Sequence, residues 1–174
     1  MKYLSLLLLV SSTSLFATES AGGKWTVEAS ADKLTGQVRT IFSLVAVEAI
    51  SDGISSSFPI FEIVCGTGDS PRWIQSELDS PVVLGSSGFR SALSDAPQQM
   101  VQLRADSRIR AHFWNIAGDW RTFFVDRQAT KEVMNGADVR IGFTDVHSYR
   151  RVAVFAADGL DRDKVAAACG KALR

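Results

Sequence analysis

The sequence predicts a mainly β protein: an antiparallel β-sandwich or barrel-like domain with one short helix and a C-terminal helix. Short runs rich in β-branched and aromatic residues follow one another, separated by Gly, Ser, Asp and Asn, which is the pattern of a sandwich or barrel. Several runs alternate apolar and polar residues with the period of two that a half-buried strand shows. Helical spacing occurs only at residues 128–134 and after Gly159.

Turn residues divide the β-type runs into candidate strands. In the third run Ile63 and Cys65 share a face, so Cys65 is predicted to point into the core. Residues 85–97 are rich in Ser and Gly and predict a surface loop, with Phe89 and Leu93 placed to turn inward. The predicted strands are residues 25–29, 38–49, 58–65, 73–78, 81–84, 101–113 with a break, 120–125, 139–143 and 151–156.

The clearest alternation begins at Met100. Odd-numbered residues from 101 to 113 are mostly apolar and the even-numbered ones polar, which predicts a strand with a wet even face and a turn near residues 105–107. The arginines of that face are a candidate surface for an acidic partner or a carboxylate-bearing ligand; the alternative is an ordinary solvated face. Two tryptophans flank the next hairpin, although the default place of large aromatic residues is the core. With them, the candidate surface comprises Arg104, Arg108, Arg110, His112, Trp114 and Trp120.

Two segments predict helices. Residues 128–134 have helical spacing and stop at Asn135-Gly136, a common C-terminal signal. After Gly159 the apolar residues up to Cys169 recur with the period of a helix. Asp158 is the candidate N-cap of this second helix, because Asp accepts hydrogen bonds from the free N–H groups of a first turn.

The N-terminus predicts export. Lys2 precedes an apolar run at residues 4–10, and small and polar residues follow up to Ala17, as in a signal peptide cleaved after Ala17. The run is too short for a membrane helix, and no later stretch resembles one. The expected organisation is a signal peptide at 1–17, a flexible leader at 18–24 and a single β-rich domain at 25–174, exported without an integral membrane segment.

Composition narrows the classes of partner. The chain has 174 residues, 46% hydrophobic and 22% charged, with 19 basic and 19 acidic side chains, which suits one globular domain. Without a basic field, nucleic acid is not an expected partner. The oligomeric state is not indicated.

Cys65 and Cys169 are the chain's two cysteines. In an oxidising compartment such a pair is most simply a disulfide, and the alternative is two unrelated buried thiols. A zinc site needs more ligands than two cysteines and two histidines so far apart provide. No metal and no cofactor are predicted.

No catalytic residues are assigned. His147 stands beside Asp145 and Ser148, but neighbouring residues of a hairpin loop rarely face each other, so a solvated turn histidine is the expectation. His112 is expected on the surface of its strand. A small hydrolase or lyase using His147 or His112 stays as an alternative to a non-catalytic binding protein, and so does a carrier of an apolar ligand held near the tryptophans.

Several short motifs occur in a familiar order: a strand ending Phe-Glu-Ile-Val-Cys65, then Leu103-Arg-Ala-Asp106, Val139-Arg-Ile-Gly-Phe143 and Val154-Phe-Ala-Ala-Asp-Gly-Leu160. With the signal peptide, they resemble small exported bacterial proteins typified by the periplasmic accessory protein of type VI secretion loci. The resemblance implies a β-rich periplasmic domain without established enzymatic activity, a protein partner in the envelope, and Cys65 and Cys169 as disulfide partners. It transfers no catalytic residue, and the loop at 85–97 is not part of the pattern.

Overall fold

The structure of the protein, a computed structural model, describes residues 23–31, 36–67, 73–90 and 95–170. The predicted signal peptide, most of the predicted leader and Leu93 lie outside these residues. Within them the chain forms β1 (Trp25–Ala31), β2 (Val38–Val45), β3 (Ile50–Ser51), β4 (Ser56–Ser57), β5 (Ile60–Thr67), β6 (Trp73–Asp79), β7 (Phe89–Arg90), β8 (Pro97–Ala105), β9 (Arg108–Ile116), β10 (Thr122–Val125), α1 (Arg127–Asn135), β11 (Asp138–Thr144), β12 (Arg150–Ala156) and α2 (Arg162–Cys169).

Ten of these strands form one antiparallel sheet in the order β1-β2-β5-β6-β10-β9-β8-β11-β12, with β7 paired to the start of β8. The end of β8 pairs with β11, so β7 and β11 share one edge of the strand. The strands β3 and β4 form a separate small hairpin. The predicted mainly β, antiparallel class is confirmed.

The sheet curls so that strands distant in its order face each other across one core. The ring of Phe61 in β5 meets that of Phe155 in β12 edge-on, with centroids 6.5 Å apart. The indole N–H of Trp25 donates to the carbonyl of Ala157 at 2.9 Å, which ties β1 to the chain just after β12. A second series of edge-on rings, Trp114, Phe123 and Phe143, packs in the same core.

The strand predictions hold in outline and differ at the ends. The segment at 38–49 is a strand only to Val45. Residues 81–84 form no strand, because Ser80 bends the chain: its hydroxyl donates to the carbonyl of Val82 and accepts from the N–H of Val82. Only an isolated bridge joins Leu84 to Asp145 there. The predicted loop at 85–97 contains the short strand β7.

The β8–β9 hairpin overturns one prediction about faces. Its register joins odd-numbered residues of β8 to even-numbered residues of β9, as in the pair Val101 and His112. Opposite residues share a face, so the buried face is odd in β8 and even in β9. The prediction that the even-numbered residues form one solvated face was therefore wrong for β9: His112 is 9% exposed and Ile109 is 68% exposed. Across the turn at residues 106–107 the buried positions change from odd-numbered to even-numbered residues. An alternation extended through the turn does not show this change.

The first helix follows the prediction closely. Asp126 is its N-cap, and its carboxylate accepts from the N–H groups of Gln128 and Ala129. The apolar side of α1, including Val133 and Met134, is buried against the core. The helix ends at Asn135 before Gly136, as the Asn-Gly signal predicts.

The second helix begins later than predicted. Its N-cap is Asp161, which accepts from the N–H groups of Asp163 and Lys164; the assignment to Asp158 was wrong. Gly159 makes a turn at φ 84°, a conformation that favours glycine, and the chain needs two further residues before the helix starts. No helix in the described ranges has the length and apolar character needed to cross a bilayer.

The two cysteines form a disulfide between β5 and α2. Their Cα atoms are 5.0 Å apart and the two residues are separated by 104 positions. Cys65 is 1% exposed and Cys169 is 2% exposed. The disulfide, rather than two unrelated thiols, is therefore the correct interpretation of the pair, and Cys65 faces the core as predicted.

Candidate functional site

The structure separates the six candidate surface residues. Arg104 lies on the outer face of β8, opposite Ile109. Trp120 lies beyond the far end of β9, which is roughly 26 Å long from its first to its last residue. The inner face of β9 carries four of the six candidate residues: Arg108, Arg110, His112 and Trp114. Trp114 is fully buried, so it belongs to the core, and its place on an exposed surface was wrong.

A groove of 520 Å³ lies where this inner face opens, between the β8–β9 turn and α1. Arg108 and Arg110 line it from β9, and Lys131 and Glu132 line it from α1. Three cationic side chains from two elements thus converge on one concave surface. Arg108 and Arg110 are the part of the predicted arginine stripe that lies on one surface in the structure.

Asp106 fixes the mouth of the groove. Its carboxylate accepts from the backbone N–H groups of Asp138 at 3.0 Å and Ala137 at 2.9 Å, and these bonds hold the pKa of Asp106 below its ordinary value. Its backbone adopts φ 53°, a left-handed conformation that Asp tolerates better than most residues. The hairpin turn is thereby tied to the segment that follows α1.

Asp126, which directly precedes α1, joins β9 to α1. Its Oδ2 lies 2.8 Å from Nδ1 of His112 and 2.9 Å from Nε1 of the buried Trp114. Its Oδ1 accepts from the first-turn N–H groups of Gln128 and Ala129, each at 2.9 Å. One carboxylate therefore starts α1 and orients two side chains of β9.

The pKa of Asp126 reflects these contacts. Burial raises the pKa, but the hydrogen bonds from the Ala129 N–H and the Trp114 indole, together with the nearby imidazole of His112, outweigh burial and leave the pKa below its ordinary value. The carboxylate is therefore ionised at neutral pH and accepts only, so Nδ1 of His112 carries the proton of their hydrogen bond.

This lowered pKa predicts a loss of stability in acid. In the unfolded chain Asp126 titrates near its ordinary pKa of about 3.9, and in the folded chain it titrates lower. Its contribution to the free energy of unfolding is complete above the unfolded pKa and disappears as the pH falls through the folded pKa. Urea unfolding from about pH 2 to about pH 7 is expected to show a shallower acid decline in Asp126→Asn than in the wild type.

Asp161→Asn is the comparison variant for this pH series. Asp161 also caps a helix and its pKa is also lowered, chiefly by the N–H of Lys164, so its substitution should flatten the acid decline as well, although Asp161 contacts no side chain of the groove region. Parallel wild-type and Asp126→Asn curves would contradict the assigned role of Asp126.

Glu132 completes the site from α1. Its Oε1 lies 3.0 Å from Nη1 of Arg110, and its Oε2 lies 3.6 Å from Nε2 of His112. The second separation is too long for a hydrogen bond. Nε2 of His112 is the buried side-chain polar atom without a hydrogen-bond partner in the described part of the chain. His112, which was expected to be exposed, is thus a buried residue beside Glu132, and Glu132 lines the charged groove.

Sequence reasoning missed Asp126 and Glu132 as members of this site. Asp126 carried a signal, since an Asp directly before a helical segment is a strong N-cap candidate. No sequence signal indicated a role for Glu132, because the sequence does not show which side of α1 faces β9. Both become neighbours of His112 only through the packing of α1 against the inner face of the sheet.

His147 is exposed in the β11–β12 loop, as expected. The neighbouring Asp145 does not orient its ring: the carboxylate binds the Arg151 guanidinium at 2.7 Å and the backbone N–H groups of His147 and Tyr149. Burial raises the pKa of Asp145, but these hydrogen bonds outweigh burial and lower it. Asp145 therefore organises the loop.

Trp120 lines a second groove, of 580 Å³, with Val83, Met100 and Val146. Its backbone has φ 56°, an unusual conformation for a bulky residue. The conformation is held by hydrogen bonds from its N–H to Ala117 and from the Leu84 N–H to its carbonyl. Trp120 is 42% exposed. This surface is separate from the arginine groove.

No group of three or more His, Cys, Asp or Glu side chains in the described ranges could hold a metal ion. The chain matches no protein-family model, no curated protein and no solved structure. The resemblance to type VI secretion accessory proteins therefore stays a prediction.

Proposed function

We propose that this protein is an exported, non-catalytic binding or accessory protein of the bacterial periplasm or envelope, and that it holds a carboxylate-bearing segment of a protein partner in the groove between β9 and α1. One observation carries the proposal: Arg108, Arg110 and Lys131 converge on that groove from two elements. The disulfide agrees with export, since such bonds persist in oxidising compartments. A link to type VI secretion rests on the sequence resemblance alone.

The chemistry of the groove suits a carboxylate. The guanidinium group offers donors in a planar fork that matches a carboxylate with two parallel hydrogen bonds. Arg108 is exposed and forms no ion pair within the described ranges. Arg110 is 47% exposed although it contacts Glu132. Both guanidinium groups therefore remain accessible to an incoming acidic side chain.

Charge reversal at the groove tests the proposal. Arg108→Glu and Arg110→Glu are each expected to weaken binding of the envelope partner at least about tenfold, because a repulsive carboxylate replaces an attractive cation. The partner would be isolated with tagged mature protein from envelope extracts, identified by mass spectrometry, purified and titrated by calorimetry.

Arg39→Glu is the matched control, since it makes the same charge change at an exposed position of β2, a strand that supplies no residue to the groove. It is expected to bind the partner as the wild type does. Equal affinity in Arg108→Glu, Arg110→Glu and the wild type would remove the groove as the binding site.

A hydrolase or lyase is the second candidate, favoured by the 2.8 Å contact that orients His112 through Asp126. Such a pairing is how a general base is held in one tautomer. Against it, Nε2 of His112 is buried and faces the carboxylate of Glu132. Turnover of a chromogenic ester or peptide panel that is lost in His112→Gln but kept in Arg108→Glu would favour the enzyme over the binding protein.

The carrier of an apolar ligand has no comparable observation in its favour. The space between the layers near Trp25 and Trp114 is occupied by aromatic rings in edge-on contact.

A further inference from the structure

We propose that Glu132 is an internal competitor of the partner: its carboxylate occupies the position on Arg110 that the partner's carboxylate takes, and it leaves that position when the partner binds. The inference rests on the proposed function of the groove. It adds a specificity-determining residue, and it specifies the ligand as an acidic peptide segment.

The geometry places Glu132 where a bound carboxylate would lie. Its side chain, 18% exposed, extends from α1 into the groove and brings Oε1 to 3.0 Å from Nη1 of Arg110. The Nε2 of Gln128, one turn earlier on α1, donates to the same Oε1 at 3.3 Å. A carboxylate supplied by the protein itself thus occupies an arginine of the proposed binding groove.

This internal contact leaves donors and acceptors unused. A guanidinium has five N–H donors, and Glu132 contacts one nitrogen of Arg110. The other oxygen of Glu132 approaches Nε2 of His112 only to 3.6 Å, and Nε2 keeps no hydrogen-bond partner. Because an unsatisfied buried polar atom is costly, the arrangement favours exchange for a ligand that satisfies both side chains.

The unsatisfied nitrogen indicates which ligand does so. Nδ1 of His112 is engaged by Asp126 at 2.8 Å, so Nε2 is the ring nitrogen left for a ligand. Glu132 approaches Nε2 to 3.6 Å and lines the groove, so its displacement opens a path from the groove toward Nε2. A peptide carrying an Asp or Glu side chain supplies a carboxylate for Arg110 and a backbone amide, with its donor and its acceptor, for His112, whereas a simple anion supplies only the first.

The experiment uses the disulfide-bonded mature protein and a short capped peptide of glutamate residues, with the glutamine peptide as the uncharged reference. Glu132→Gln keeps the size of the side chain and its place on α1 but removes its charge. Calorimetric titration is expected to show about fivefold tighter binding of the glutamate peptide by Glu132→Gln than by the wild type, the scale of one partly exposed ion pair. In the wild type, the His112 ring signals in NMR spectra should shift during titration, because Glu132 moves away from Nε2.

Glu28→Gln is the matched control. It makes the same substitution at an exposed position of β1, a strand that supplies no residue to the groove, and should leave affinity unchanged. Equal or weaker binding by Glu132→Gln, with binding still lost in Arg108→Glu, would overturn the competitor role and leave the proposed function standing. Tighter binding by Glu28→Gln of the same size would also overturn it, as a general charge effect. No binding of the glutamate peptide by the wild type and by Glu132→Gln would overturn both proposals.

Discussion

Removal of the Cys65–Cys169 disulfide is expected to lower the free energy of unfolding by about 4–5 kcal/mol. The two cysteines are separated by 104 positions, so the bond closes most of the domain into one loop and restricts the unfolded chain strongly. A small domain has a total stability of about 5–15 kcal/mol. The double variant Cys65→Ala, Cys169→Ala should therefore be marginally folded at physiological temperature.

Denaturant unfolding of the oxidised wild type, the reduced wild type and the double alanine variant provides the measurement. Reduction and double substitution should lower stability similarly, because both remove the same constraint on the unfolded chain. The reduced protein should be slightly the more stable, since its two sulfur atoms still fill sites that are 1% and 2% exposed. A loss below about 1 kcal/mol in both cases would show that the bond contributes little to this fold.

Substitution of Asp126 by alanine is expected to lower the free energy of unfolding by about 3–5 kcal/mol. Loss of the N-cap of α1 accounts for about 1 kcal/mol. The rest comes from the indole N–H of Trp114 and the Nδ1–H of His112, which lose their acceptor in a buried setting and cost about 1–3 kcal/mol each. The partial exposure of the Asp126 side chain limits the total, because water can replace part of the carboxylate.

Asp161→Ala separates the two contributions. Asp161 caps α2 through the N–H groups of Asp163 and Lys164 at 3.1 and 3.0 Å, and no buried aromatic donor depends on it. Its removal should cost about 1 kcal/mol. If Asp126→Ala and Asp161→Ala lose the same stability, Asp126 is only a helix cap, and the orientation of His112 must have another cause.

The site was partly predictable. The run of polar even-numbered residues after Met100 indicated that Arg108 and Arg110 stand close together, and they do share one face. The same run wrongly included Arg104, because the face changes at the turn between β8 and β9. His112 and Trp114 show a second limit of the pattern. They continue the series of even-numbered residues, yet they are buried, because α1 covers this part of the sheet.

The positions of Asp126 and Glu132 next to β9 cannot be predicted from any local sequence pattern. Their contacts with β9 cross 14 and 22 positions of sequence, through a hairpin and a helix start. Helical periodicity indicated that α1 has a buried side, yet the periodicity does not indicate which strand that side covers. The charged groove exists because α1 lies across the open end of the inner face.

The mainly β class, most of the strands, both helices, the pairing of the two cysteines and the direction of Cys65 toward the core could be predicted from the amino-acid sequence. Apart from the cysteine pairing, these follow from the alternation of side chains along a strand and from the spacing of apolar residues on a helix, which are local properties of the chain. The curl of the sheet, the division of the arginine stripe and the meeting of Arg110, His112, Asp126 and Glu132 became visible in the folded protein. They depend on how buried positions shift across a two-residue turn and on packing between elements distant in sequence, which local periodicity does not contain.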